Sequence, residues 1–237
     1  MKTSLVANEP NQQACIDCAV RGIAVCAALD QTELKELGHL GRHVGFTSRE
    51  TVFAQGEPAT SFYNLIEGVM RLYQLLPDGR RQIVGFALPG DFLGMANSAR
   101  HSFSADAIGP VVVCQTSRIS FTRFIENRPH LLRRINEFAV RELGQAQDQM
   151  MSLGRRSAEE KVANFLIGWR DRRIPLTGPT QTISLPMGRL DIADFLGLTI
   201  ETVSRIFTKL ERDGVIEIIS GGVCLLDSAR VEALAAA

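Results

Sequence analysis

The segment Arg189-Leu-Asp-Ile-Ala-Asp-Phe-Leu-Gly-Leu-Thr-Ile-Glu-Thr-Val-Ser-Arg205 constrains the fold of this chain more than any other stretch. Ala193 is small where two helices must cross closely, Gly197 can take the left-handed conformation of a tight turn, and Thr199 suits the N-cap of a second helix. This is the pattern of a helix-turn-helix. On the second helix Val203, Phe207 and Leu210 share a face for burial, which leaves Glu201, Ser204, Arg205 and Thr208 at i, i+3, i+4 and i+7 on the other. Arginine can fork onto O6 and N7 of guanine, glutamate can accept from the cytosine amino group, and serine can serve either base. Taken alone, Glu201 and Arg205 could equally be a surface i, i+4 ion pair worth about 0.3 kcal/mol. The two-helix setting and a β-hairpin around Gly221-Gly222 favour base reading by a winged helix-turn-helix, with double-stranded DNA as the partner. Arg189 and Lys209 are placed for phosphates, which fix register without carrying sequence information.

The preceding chain supplies the rest of an α+β architecture. Short β-type runs at 43–47, 51–54, 62–66, 69–76, 82–86 and 111–114, punctuated by turn residues such as Pro77-Asp78-Gly79, predict an antiparallel β-barrel of the cupin-like kind. After Pro129 the period changes to about 3.6 and no strong breaker follows before Gly154, which predicts one long helix. Leu132, Asn136, Ala139, Leu143, Ala146, Met150 and Leu153 alternate at spacings of four and three, the seam of a two-stranded coiled coil. A homodimer follows, against the simpler possibility of a helix packed only on its own domain. Ser157-Ala-Glu-Glu160 reads as a capping box opening a helix to about Arg172, with a loop or small β-ribbon at 174–185. The expected divisions are 1–128, a polar tail at 1–13 with the cysteine segment and barrel; 129–155, the dimer helix; and 156–237, the winged helix-turn-helix.

The 26 basic and 26 acidic side chains balance, so contact with DNA must come from local placement rather than bulk charge. No apolar run approaches the roughly 20 residues of a spanning helix, and Met1–Asn11 has no apolar core of a secretory signal. The expected location is therefore the cytoplasm, with no membrane partner. An enzyme would need a nucleophile with its base, a carboxylate pair or a phosphate loop. Gly56-Glu-Pro58 and Gly90-Asp91 are turn residues without the Lys-Ser/Thr of a P-loop, so no enzymatic activity is expected.

Three of the five cysteines crowd into Cys15-x2-Cys18-x7-Cys26, and Cys114 follows an apolar strand that could present a fourth thiolate. In a reducing compartment stable disulfides are not expected. On spacing alone zinc, an iron-sulfur cluster and unliganded thiols all stay open. Cys224 lies among hydrophobes and reads as buried packing. His39 and His43 are four apart but carry no haem-pocket signature and read as surface or structural.

Gly68, Pro89-Gly-Asp-Phe-Leu-Gly94, Ser157-Ala-Glu-Glu-Lys161 and Glu201-Thr-Val-Ser-Arg205 together resemble the Crp/Fnr superfamily of bacterial transcription regulators, from about Cys15 to the C-terminus. The resemblance implies a cyclic-nucleotide-binding-like barrel, a dimer helix and a winged helix. The last string is similar to the Fnr branch, whose Glu, Ser and Arg read TTGAT/ATCAA half-sites in a palindrome, with Ile200 against a thymine methyl. Fnr-type oxygen sensors of the α-proteobacterial kind use this cysteine spacing, which implies Cys15, Cys18, Cys26 and Cys114 as ligands of a four-iron four-sulfur cluster. The remaining alternative is the same regulator with another sensor chemistry: zinc or thiol redox, haem, or a small molecule. In the cyclic AMP branch a Glu and an Arg-Ser pair hold the ligand; here Met95 and Phe103-Ser104 stand at those places, so no cyclic nucleotide is expected. RNA polymerase is the further partner implied, although the branch's acidic hairpin contact is replaced by Gly79-Arg80.

Overall fold

The computed structural model describes residues 15–95 and 99–236; the tail expected at 1–13 lies outside them. Eight strands make two four-stranded sheets. They are β1 (Gly41–Phe46), β2 (Thr51–Phe53), β3 (Ser61–Glu67), β4 (Met70–Leu75), β5 (Arg81–Ala87), β6 (Phe92–Leu93), β7 (Ser104–Ala107) and β8 (Val111–Ser117). The orders are β1-β8-β3-β6 and β2-β7-β4-β5. Each expected run is a strand, and β6 and β7 are additional. Gly68 begins the turn into β4 at φ 86°, where an added Cβ would lie 2.3 Å from the Pro110 carbonyl oxygen, so only glycine fits. The Pro77-Asp78-Gly79 turn forms as expected, with Gly79 at φ 85°.

Period-two alternation gives the first sheet two jobs. Val111 and Val113 of β8, with Tyr63 and Leu65 of β3, point into the sandwich against Phe53, Met70 and Leu72. Val112 and Cys114, with Phe62 and Ile66, face outward onto a second apolar core. That outer core is built from the segment Cys15–Leu29, from α1 (Gln31–Leu40), α2 (Arg118–Glu126) and the start of α3 (Pro129–Arg155). A capping box closes the first turn of α1, with Glu33 N–H donating to Asp30 and Asp30 N–H donating to Glu33. The segment before α1 winds in tight turns, among them Ala24 N–H to Val20 O and Leu29 N–H to Cys26 O.

The C-terminal unit begins within α3. The chain divides into Met1–Arg80 with Val84–Leu143, and Arg81–Ile83 with Gly144–Ala237. Here α4 (Ala158–Thr177) starts at the expected capping box of Ser157 and Glu160. It runs five residues past Arg172 because Pro175 falls in the last turn, where one lost hydrogen bond is tolerated, and Gly178 at φ 72° ends it. The helix-turn-helix is α5 (Arg189–Leu196) and α6 (Ile200–Arg212). The wing is a sheet of order β10-β11-β9, from β9 (Thr182–Ser184), β10 (Ile216–Ile219) and β11 (Gly222–Leu225). A closing helix α7 (Ser228–Ala236) packs on α4. Among the described residues no helix is long and apolar enough to cross a membrane.

Candidate nucleic-acid interface and cysteine cluster

The turn between α5 and α6 has the geometry its residues predict. Gly197 sits in the left-handed region at φ 62°, ψ 38°, and Ala193 beneath it is buried. Thr199 caps α6 by accepting from the Thr202 N–H at 3.2 Å. Val203, Phe207 and Leu210 are buried as expected, and Ile206 joins them, its position one residue from Phe207 widening the apolar stripe. Ile200, Glu201, Ser204, Arg205, Thr208 and Lys209 all face solvent. Among the described residues neither Glu201 nor Ser204 has a side-chain partner, whereas Arg205 donates to the Thr202 hydroxyl at 3.3 Å. The Glu201–Arg205 ion pair is therefore not made, and both groups stay available to a ligand.

The two phosphate candidates are placed differently from that open stripe. Lys209 forms an ion pair with Glu159 of α4. Arg189 is half-buried, its guanidinium 3.2 Å from the centroid of the Phe207 ring, and burial pulls its pKa below the usual arginine value. Stacking on Phe207 braces the α5–α6 angle as well as holding the charge. Cys224 corrects the reading of buried packing. In β11 the alternation sends Val223 and Leu225 inward, so Cys224 takes the opposite face and is only partly buried.

The four cysteines of the two distant segments share one face. Cys26 lies inside the outer core, and Cys15, Cys18 and Cys114 pack against it. Cys114 is opposite His43 of β1 and Asn64 of β3. Gly41 gives it room, since a Cβ there would stand 3.0 Å from the Cys114 sulfur. Burial pushes the Cys26 and Cys114 thiols up to about 12, and the neighbouring cysteines add to the shift in both. Cys15 is raised by burial and by Cys18. Four soft donors packed on one apolar core suit a thiolate-loving metal group, whose positive charge would offset what burial costs the Cys15, Cys26 and Cys114 thiolates. Among the described residues, however, no three His, Cys, Asp or Glu side chains form a group that could hold a metal ion. A tetrahedral zinc, with sulfurs about 3.8 Å apart, would need the thiols drawn inward.

The same core reaches the long helix. Leu131, Ile135 and Phe138 of α3 pack into it, and Arg134 donates to the Ile23 carbonyl in the loop between Cys18 and Cys26 at 3.4 Å. Neither link was visible in the sequence. One residue further round the helix, Leu132, Asn136, Ala139, Leu143, Ala146 and Met150 are all exposed, a continuous row that the chain itself leaves uncovered.

Inside the sandwich, Phe103 packs on the apolar core with its ring 5.7 Å from that of Phe53. Ser104 is buried and accepts from the Gln55 N–H, and Met95 is 39% exposed. On the exposed hairpin Arg80 donates to Asp78 at 2.8 Å, which partly neutralises the carboxylate of the turn.

Comparison with known proteins gives the following. A cyclic nucleotide-binding domain matches residues 43–128, and a Crp-like helix-turn-helix domain matches residues 160–234. The chain is 68% identical over 237 residues to the nitrogen fixation regulation protein FixK of Bradyrhizobium diazoefficiens, covering 100% of both. It is 64% identical over 220 residues to the transcriptional activatory protein AadR of Rhodopseudomonas palustris, covering 93% of this chain and 92% of that protein. Among solved structures, FixK2 from Bradyrhizobium japonicum matches with a TM-score of 0.77 at 35% identity, over 83% of this chain and 98% of that one.

Proposed function

The chain belongs to the Crp/Fnr family of transcription regulators, and on that premise we propose that it is a homodimeric, oxygen-responsive regulator whose sensor is a four-iron four-sulfur cluster on Cys15, Cys18, Cys26 and Cys114. The observation that carries this reading is the convergence of the four cysteines on the outer face of one sheet, over the core that also seats α3. Iron-sulfur clusters are held by four cysteine thiolates. When bound, the group would supply iron-sulfur bonds that oxygen attacks.

The chain's own residues explain how that event could reach DNA. With the group bound, the three N-terminal cysteines would tie the segment Cys15–Leu29 to β8 through Cys114; the segment holds Val20, Val25 and Leu29 in the core shared with Leu131 and Phe138 of α3. Arg134 links the cysteine loop to α3 directly. Releasing the tie loosens the seat of the helix whose next face carries Leu132, Leu143 and Met150. Dimerisation and core packing are then one linked equilibrium, shifted by whatever binds the folded pocket.

At the other end, Arg205, Glu201 and Ser204 read each half of a TTGAT/ATCAA-type palindrome, and Ile200 lies against a thymine methyl. A twofold dimer presents two recognition helices to two half-sites about one DNA turn apart. Lys209 reaches a phosphate by exchanging its Glu159 partner for one. The sandwich takes no cyclic nucleotide in this reading: Phe103 belongs to its apolar core, and Met95 offers no acceptor for a ribose. RNA polymerase is the further partner in this reading, although Gly79-Arg80 stands where the branch's acidic hairpin contact would be. The test is single Cys→Ser replacement at 15, 18, 26 and 114. Each should remove the brown chromophore and the oxygen dependence of DNA affinity, whereas Cys224→Ser should leave both; a Cys114→Ser protein with an unchanged spectrum refutes the ligand set.

A further inference from the structure

One buried polar group next to the cysteines has no partner. Asn64 is only 9% exposed, and its side-chain Oδ1 is buried without a hydrogen bond. It sits on β3 between Tyr63 and Leu65, which point into the sandwich, so alternation turns it to the outer face with Phe62 and Ile66. There its cross-strand partners are Cys114 of β8 on one side and Phe92 of β6 on the other. Directly opposed residues have Cβ atoms about 5 Å apart, close enough for a side-chain amide to reach a cysteine sulfur. Phe92 offers no hydrogen bond. His43 flanks Cys114 across β1 but is half-exposed, where water can serve it.

We propose that Asn64 is a positioning and tuning residue for the sensor, its amide N–H donating to the Cys114 sulfur when that sulfur is a cluster ligand. The proposal rests on the cluster reading above. A buried amide oxygen without a partner is a standing penalty in the fold. A ligated thiolate is an acceptor that removes it, because turning the amide over presents Nδ2 in place of Oδ1. Hydrogen bonds to the sulfurs are among the features that set the potential of such clusters, since they stabilise the more electron-rich state. Losing one charge-assisted bond should change the equilibrium constant for cluster reduction on the order of tenfold, towards harder reduction.

The experiment compares wild type with Asn64→Leu, which keeps size and removes the amide, both reconstituted without oxygen using ferrous iron and sulfide. Equal iron content, a more negative midpoint potential and shifted iron-thiolate stretching bands in Asn64→Leu support the assignment. Equal potentials and equal bands overturn it while leaving the cluster intact. Wild type that takes up no iron overturns the cluster reading itself, a distinguishable outcome. Should the leucine variant fail to fold, pulsed electron paramagnetic resonance on the reduced wild-type protein carrying ¹⁵N-labelled asparagine decides: a coupled side-chain nitrogen supports the contact, and its absence refutes it.

Discussion

Replacing Leu143 tests the dimer seam without disturbing the single chain. Its side chain is 59% exposed, and its position on α3 lies beyond the residues that enter the core. Fully burying a leucine contributes about 1.5–3 kcal/mol, so covering the exposed three-fifths would contribute roughly 1–2 kcal/mol per chain, and twofold symmetry doubles it. Leu143→Ala should therefore weaken the dimer by roughly 2–4 kcal/mol, or about 30- to 1000-fold in Kd. Leu143→Glu should do more, because it sets two carboxylates against each other at a desolvated axis. Unfolding of the isolated chain should change by less than about 0.5 kcal/mol, since the site is exposed and glutamate is a good helix former. Sedimentation equilibrium and urea titration on the same samples separate the two effects. A Leu143→Glu protein that keeps the wild-type dimer constant would show that the exposed row is not the seam.

Arg205→Ala should lose about 1–3 kcal/mol per half-site and discrimination at one guanine, whereas Lys209→Ala should weaken all sequences alike, and gel shifts on single-base variants distinguish them. Lys209→Ala should be the milder change, because the free lysine is already paired with Glu159. Gly68→Ala should destabilise the sandwich strongly, since the new methyl group meets the Pro110 carbonyl; circular dichroism melting checks this. In metal-free protein Cys26 and Cys114 are held protonated to about 12 against an ordinary 9.0, so their contribution to stability is present below pH 9 and is lost as pH rises towards 12. Urea midpoints should fall across that window, and Cys114→Ala should flatten the fall.

Much of the fold was legible because local patterns and tertiary structure agree. The α5–α6 turn needs Gly197 and Thr199 whatever surrounds it, and the two faces of α6 follow from spacing alone. The exposed row on α3 was likewise readable from spacing, although the adjacent row of Leu131, Ile135 and Phe138 was not, because apolar residues occur on both faces. Strand β7, Ser104-Ala-Asp-Ala107, lacks the β-branched residues that mark strands, and β6 is two residues long, so neither gave a signal. Helix α1 had one in Asp30 and Glu33, the two members of its capping box. Asn64 could not be found from sequence, because its meaning depends on the register that sets β3 against β8. The pairing of Lys209 with Glu159 spans 50 residues and is equally invisible to local pattern. Cys224 was misjudged because apolar neighbours in a strand do not share its face.

The most direct measurement is anaerobic purification followed by iron, sulfide and zinc analysis with an absorption spectrum, then the affinity for a TTGAT/ATCAA palindrome before and after exposure to air. Four irons and four sulfides per chain, a brown chromophore that bleaches in air, and a parallel fall in DNA affinity are the expected result. Stoichiometric zinc without iron, or metal-free thiols with DNA affinity unchanged by air, would contradict it.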